Sequence, residues 1–166
     1  MTESDEITPR ETAPPVVTVL AVAGDDTWLH LYRDVPSMLK DDDIGTKGNF
    51  HGPIEFFDRD AFRLVPVFGP DWQLEDLRKS HEMLDPCLIR RRLYAVVRHV
   101  EGHLRRHPEV LEPYHLTLED AISQLPPLTG PDLDDDLAVL WTILGPFSHS
   151  GGFFHNALHA AGWRHD

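Results

Sequence analysis

The stretch Asp85–His107, DPCLIRRRLYAVVRHVEGHLRRH, constrains the fold of this chain more than any other part. Asp85 is a favourable N-cap, and Pro86 then occupies the first helical position, where its missing N–H costs nothing. Pro108 predicts that the helix ends near His107. The pattern therefore predicts a helix of about 22 residues, roughly 33 Å long. Its buried face consists of apolar residues that recur at helical spacing: Ile89, Leu93, Val96, Val97, Val100 and Leu104.

The opposite face of this predicted helix is basic in a chain that is otherwise acidic. Residues 86–107 carry a net charge of +5, whereas the whole chain carries −13. Because the acidic remainder dominates the field, this balance disfavours nucleic acids and anionic membranes as partners and favours a basic protein. The arginines are instead predicted to pair with acidic neighbours, and the aspartates at the start of a later helix are the natural candidates: Asp132, Asp134, Asp135 and Asp136.

Length and composition indicate a single soluble domain preceded by a tail. The chain has 166 residues, of which 41% are hydrophobic, and this is enough to bury a core. Residues 1–15 are acidic and polar, which predicts a disordered tail without signal-peptide character, and residues 16–166 are predicted to form one domain. The single cysteine, Cys87, fits a reducing compartment, so we expect a cytoplasmic protein. The sequence contains no run of 18 apolar residues, so no membrane span is predicted.

Residues 16–80 are predicted to be rich in β-strands. The β-branched run from Val16 to Val22 predicts a buried strand, and the others follow turn signals. Pro66 lacks a ladder N–H, which predicts an edge strand or a bulge. The segment from Trp72 to Lys79 is compatible with a further strand or with a helical turn. Four strands are therefore predicted: Val16–Val22, Thr27–Tyr32, Ile54–Phe57 and Phe62–Phe68.

Residues 85–166 are predicted to be helical. Besides the central helix, we expect a short helix earlier in the chain, at Asp34–Lys40, and three after it: Thr117–Leu125, Asp132–Leu144 and Gly151–Trp163. The predicted fold class is α+β: an antiparallel sheet of about four strands from the N-terminal half, packed against three or four C-terminal helices.

The sequence contains no recognised catalytic pattern. Neither a phosphate-binding loop nor a nucleophile elbow is present, because the glycines are scattered and the segment before Ser148 reads as a helix. The four tryptophans (Trp28, Trp72, Trp141 and Trp163) are interpreted as core residues, since no basic groove accompanies them. The expected function is therefore that of an acidic, non-enzymatic module that binds a basic protein partner. The residues predicted to contact this partner are exposed acids: Asp41, Asp42, Asp43, Asp58 and Asp60.

An alternative prediction uses the histidines of the C-terminal segment. His155 and His159 are four residues apart on a predicted helix, which is a spacing found in zinc sites. A metal-binding protein or a metal-dependent enzyme with zinc as cofactor therefore remains the second hypothesis. The enzyme motif with this spacing places a glutamate directly after the first histidine, and this chain has Asn156 there.

The first half of the chain resembles one group of known proteins. The strand Trp28–Tyr32, the short helix at Asp34–Leu39 and the strand pair Ile54–Asp58 and Phe62–Val67 resemble the strand–helix–hairpin opening of small actinobacterial proteins. Some of these are similar to immunity proteins that accompany secreted toxins. The resemblance implies a cytosolic binder that neutralises a toxin by contact, without catalysis. It assigns no functional residue and does not extend to the helical half.

Overall fold

The sheet of the computed structural model has five antiparallel strands. The structure describes residues 19–27, 29–40 and 54–144. The strand order is β2-β1-β3-β4-β5, and all neighbours are antiparallel. The predicted α+β class is confirmed, with five strands in place of about four. The strands are β1 (Val19–Ala23), β2 (Leu29–Tyr32), β3 (Ile54–Phe57), β4 (Phe62–Phe68) and β5 (Leu74–Met83).

Side chains cap the starts of three helices, at Asp34, Asp85 and Thr117. In the central helix, the Asp85 side chain accepts a hydrogen bond from the Cys87 N–H, as the sequence predicts. None of the helices in the described part of the chain is both long and apolar enough to cross a membrane. The helices are α1 (Val35–Leu39), α2 (Pro86–Arg106), α3 (Leu118–Ser123) and α4 (Leu133–Leu144), and a 3-10 helix spans Pro108–Tyr114. The predicted tail, residues 16–18 and the predicted helix at 151–163 lie outside the described residues.

Both faces of the sheet are covered. The larger core joins Leu20, Val22 and Phe57 of the sheet to the apolar stripe of α2 and to α4. The smaller core lies on the other face, where Met38 of α1 packs among side chains from all five strands. Because β1 lies between the two cores, all five of its residues are buried, and this explains its nearly continuous apolar sequence.

Strand β5 carries a bulge, which changes the spacing of its buried residues and makes the strand difficult to recognise in the sequence. Val67 pairs with Asp76 but Phe68 pairs with Leu74, so Glu75 is the surplus residue. Leu74 and Leu77 therefore bury on the same face although they are three residues apart. A three-residue spacing is typical of a helix, and this explains why the sequence left the element undecided.

The strand of Pro66 was expected to be an edge strand or to carry a bulge, and what the structure shows is a register shift next to Pro66 whose surplus residue lies in β5. Strand β4 is not an edge strand, because it lies between β3 and β5. However, its pairing with β3 is limited to Leu64 and Arg63, so Pro66 pairs with β5 alone among the described residues. The register shift against β5 lies directly after Pro66, between Val67 and Phe68. Proline is thus tolerated inside the sheet because the described part of β3 forms no ladder with this half of β4.

Replacing Gly102 with alanine is expected to raise the free energy of unfolding by about 1 kcal/mol. Gly102 lies inside α2, and a Cβ there would meet only the Arg106 guanidinium, at 3.8 Å. Alanine therefore gains helix propensity without a clash. Denaturant unfolding followed by circular dichroism measures the change. The matched substitution Gly130→Ala should destabilise instead, because its Cβ would overlap the Asp135 side chain; a Gly102→Ala protein less stable than the wild type would contradict the prediction.

Candidate partner-binding surfaces

Arg90 of α2 holds the start of α4 in place. Its Nε donates to the Asp136 Oδ2 at 2.7 Å, and its other nitrogens donate to the carbonyls of Gly130 and Pro131. The Asp136 side chain is only 2% exposed. The predicted pairing between the central helix and the aspartates of the later helix is therefore confirmed for this pair.

Arg92 connects the same helix to the sheet. It contacts Asp26 in the β1–β2 turn, with Nε 2.7 Å from Oδ1, and also Glu55 of β3. Glu55 binds Arg63 of β4 as well, at 2.9 Å. Burial alone raises the pKa of Glu55, but the hydrogen bond from Arg63 and the charge of Arg92 outweigh it, so this pKa lies below its usual value. Both guanidinium groups also lie over the Phe57 ring, 5.6 and 5.7 Å from its centre. These cations are thus used inside the fold.

The acids that follow α2 are mostly left at the surface. Residues 108–136, which we call the acidic segment, contain no lysine or arginine. Partial burial and the neighbouring Asp132 carboxylate raise the pKa of Asp135, as crowded like charges do. Asp134 pairs with the exposed Arg59 at 3.3 Å. Six acids of the segment are exposed: Glu109, Glu112, Glu119, Asp120, Asp132 and Asp134.

The five acids predicted from the sequence to contact a basic partner fall into three groups. Asp41, Asp42 and Asp43 lie outside the described residues. Asp60 is exposed. The expectation that Asp58 is exposed is wrong: only 14% of its side chain is accessible, because Oδ1 accepts from the N–H groups of Asp60 and Phe62. Its carboxylate closes the β3–β4 turn, so any contact it makes with a partner would compete with this structural role.

The histidines proposed as zinc ligands, His155 and His159, also lie outside the described residues. In the part of the chain that the structure describes, no group of three or more His, Cys, Asp or Glu side chains is arranged to hold a metal ion. His103 and His107 of the α2 region are neighbours, with ring centres 4.8 Å apart. Burial, and then the positive charges of His107 and Arg106, lower the pKa of His103.

The tip of the β4–β5 hairpin is a feature that the sequence interpretation missed. Trp141 is buried, as expected, but Trp72 is 78% exposed, so its assignment to the core is wrong. Trp28 and Trp163 lie outside the described residues. The Phe68 ring, which is 50% exposed, stands 6.3 Å from the Trp72 ring, centre to centre. A signal for this tip was the turn sequence Gly69-Pro70-Asp71, which directly precedes Trp72.

The fold and these surfaces define an α+β domain with a five-stranded antiparallel sheet, an acidic helical segment and an exposed aromatic hairpin tip. Comparisons of the chain with protein-family models, with curated proteins and with solved structures returned no match.

Proposed function

We propose that this chain is an acidic, non-enzymatic module that binds a basic protein partner. The observation that carries the proposal is the concentration of exposed acids in one segment of the chain. Arg90, Arg92 and Arg63 are engaged by carboxylates within the fold. The acidic segment, in contrast, exposes six carboxylates and has no cation of its own. A surface of this kind attracts a positively charged partner and speeds its encounter.

The finer proposal is that the partner is a toxin which this chain neutralises by contact. It rests on the resemblance of the strand–helix–hairpin opening to immunity-type proteins. Such a protein acts by occupying a surface of its target, and high affinity there depends on a fast approach as well as on a few anchoring side chains.

The test is affinity purification of the tagged chain from its native cell, followed by kinetics with the recovered partner. We expect a basic protein that is retained at low salt and released as the salt concentration rises, because surface charges are screened. Replacing Glu119 and Asp120 together with lysine should slow association by about tenfold. Surface plasmon resonance at several salt concentrations measures this rate.

The matched control reverses charges of the opposite sign on α2. Arg91 and Arg106 are both exposed, and changing them to glutamate should leave association unchanged or make it faster. A recovered partner that is acidic, or whose association does not respond to either pair of substitutions, would contradict the proposal. Stoichiometric zinc in the purified protein, lost on replacing His155 and His159, would favour the metal-binding alternative instead.

A further inference from the structure

We propose that Trp72, at the tip of the β4–β5 hairpin, is the anchor that receives an arginine side chain of the basic partner. This inference rests on the proposed function, because it takes the positive charge of the partner from it. It adds the site at which the partner is held and the kind of side chain that is bound there.

The first support is exposure. Trp72 is more exposed than any other large hydrophobic side chain in the described part of the chain, and Val65 and Phe68 of the same hairpin are 46% and 50% exposed. Among the described residues, strand β4 pairs with β3 through Arg63 and Leu64, so the outer part of the hairpin extends beyond this paired region. Tryptophan is enriched among the few residues that carry most of the binding energy of protein interfaces.

The second support is the backbone at Trp72. The Trp72 N–H donates to the Gly69 carbonyl at 3.0 Å, and the Gly69 N–H donates to the Gln73 carbonyl at 2.8 Å. This is a three-residue hairpin loop whose last residue takes a left-handed conformation, and glycine normally occupies that position. Trp72 has φ 58° there. A bulky side chain in this region is strained, and such strain is found where function requires the side chain.

The neighbouring hairpin provides an internal comparison. The β3–β4 turn has the same pair of hydrogen bonds, from Ala61 N–H to Asp58 and from Asp58 N–H to Phe62, and Ala61 has φ 68°. Ala61 is fully buried, so its small side chain fills a place in the core. Trp72 fills no such place. The packing of the fold thus accounts for the side chain in the first turn, whereas Trp72 in the second turn stands beside the half-exposed Phe68 ring and lies largely in solvent.

The third support is charge complementarity at the tip. Asp71, Glu75 and Asp76 surround Trp72 in sequence, and residues 64–77 contain no lysine or arginine. The Glu75 carboxylate lies against Gly69, the first residue of the turn, where any Cβ would collide with it. A cation is attracted by carboxylates and by the face of an indole ring, and arginine can also stack on that face. Both features favour an arginine over an uncharged side chain.

The test uses a short labelled peptide of alternating arginine and glycine, with a matched peptide in which citrulline replaces arginine. Binding to the full chain is measured by fluorescence anisotropy, and the Trp72 indole N–H is followed by NMR after assignment with Trp72→Phe. We expect the arginine peptide to shift this resonance and Trp72→Gly to bind it about fivefold more weakly. Trp72→Phe should keep most of the affinity. The difference should persist at about 0.5 M salt, where long-range attraction is screened.

Folding does not obscure this test, because glycine suits the left-handed position and Trp72→Gly should melt no lower than the wild type. Equal affinity of the wild type and Trp72→Gly, or equal binding of the citrulline peptide, overturns the inference. A Trp72-dependent dimer without peptide binding, seen by sedimentation, also overturns it and identifies a second copy as the occupant. If the lysine pair at 119 and 120 weakens partner binding and Trp72→Gly does not, the proposed function stands and only this inference fails.

Discussion

Replacing Asp136 with alanine is expected to lower the free energy of unfolding by about 3 kcal/mol. Asp136 is almost fully buried, and its Oδ2 accepts a hydrogen bond from the Arg90 Nε. Within the described chain, its Oδ1 has no hydrogen-bond partner, so the buried charge depends on the guanidinium. The value lies at the lower end for breaking a buried pair, since the remaining Arg90 is partly accessible to water. Urea unfolding at neutral pH measures the change.

The neighbouring Asp134 provides the control, because it lies on the same first turn of α4 and so interacts similarly with the helix dipole. Its side chain is 58% exposed and pairs with Arg59 at the surface. Asp134→Ala should therefore cost less than about 1 kcal/mol. Arg90→Ala should be at least as destabilising as Asp136→Ala, because it leaves the buried carboxylate without its cation. Equal effects of the two aspartate substitutions would show that Asp136 has no special role.

Ala61→Val is expected to destabilise the protein by about 3 kcal/mol, a value at the upper end for overpacking. The Ala61 side chain is fully buried in the larger core, so two additional methyl groups have no free space. Its backbone, with φ 68°, is also a conformation that β-branched residues strongly avoid. Thermal unfolding by calorimetry, at the same protein concentration and pH, measures the loss.

Ala61→Gly separates these two causes. Glycine removes one buried methyl group but relieves the left-handed strain, so the net change should stay within about 1 kcal/mol. A valine variant as stable as the wild type would show that the turn can rearrange. A glycine variant that is as unstable as the valine variant would show that the methyl group, and not the backbone, dominates at this position.

Capping residues and the spacing of apolar residues were sufficient to predict where the helices begin and which face of α2 is buried. Asp85 and Pro86 defined the start of α2, and the spacing of its apolar residues identified the buried face correctly. Asp34 and Thr117, the residues at which two further helices were predicted to begin, are the N-caps of α1 and α3. The pairing of Arg90 with an aspartate of α4 was expected from charge, whereas Arg92 of the same helix pairs with Asp26 and Glu55 instead.

The predictions from the sequence were wrong or undecided for features that depend on how two strands pair. The bulge at Glu75 cannot be read from β5 alone, since it is defined by the partner residues Val67 and Phe68. The outward position of Trp72 was also not predicted from the sequence, because tryptophan is usually a core residue and its position here depends on the hairpin that the two strands form. Asp58 was predicted to be an exposed acid, but the turn directs the N–H groups of Asp60 and Phe62 towards its carboxylate. For the candidate site, the sequence thus predicted the charge but missed the aromatic tip.

The bulge in β5 also bears on how the length of this chain can vary. In a regular strand, the loss of one residue exchanges the two faces for everything beyond it. At Glu75 it would not, because Leu74 and Asp76 already pair with consecutive residues of β4. A homologue that is one residue shorter at this point would keep both leucines of β5 buried, so an alignment gap there would be compatible with an unchanged hairpin.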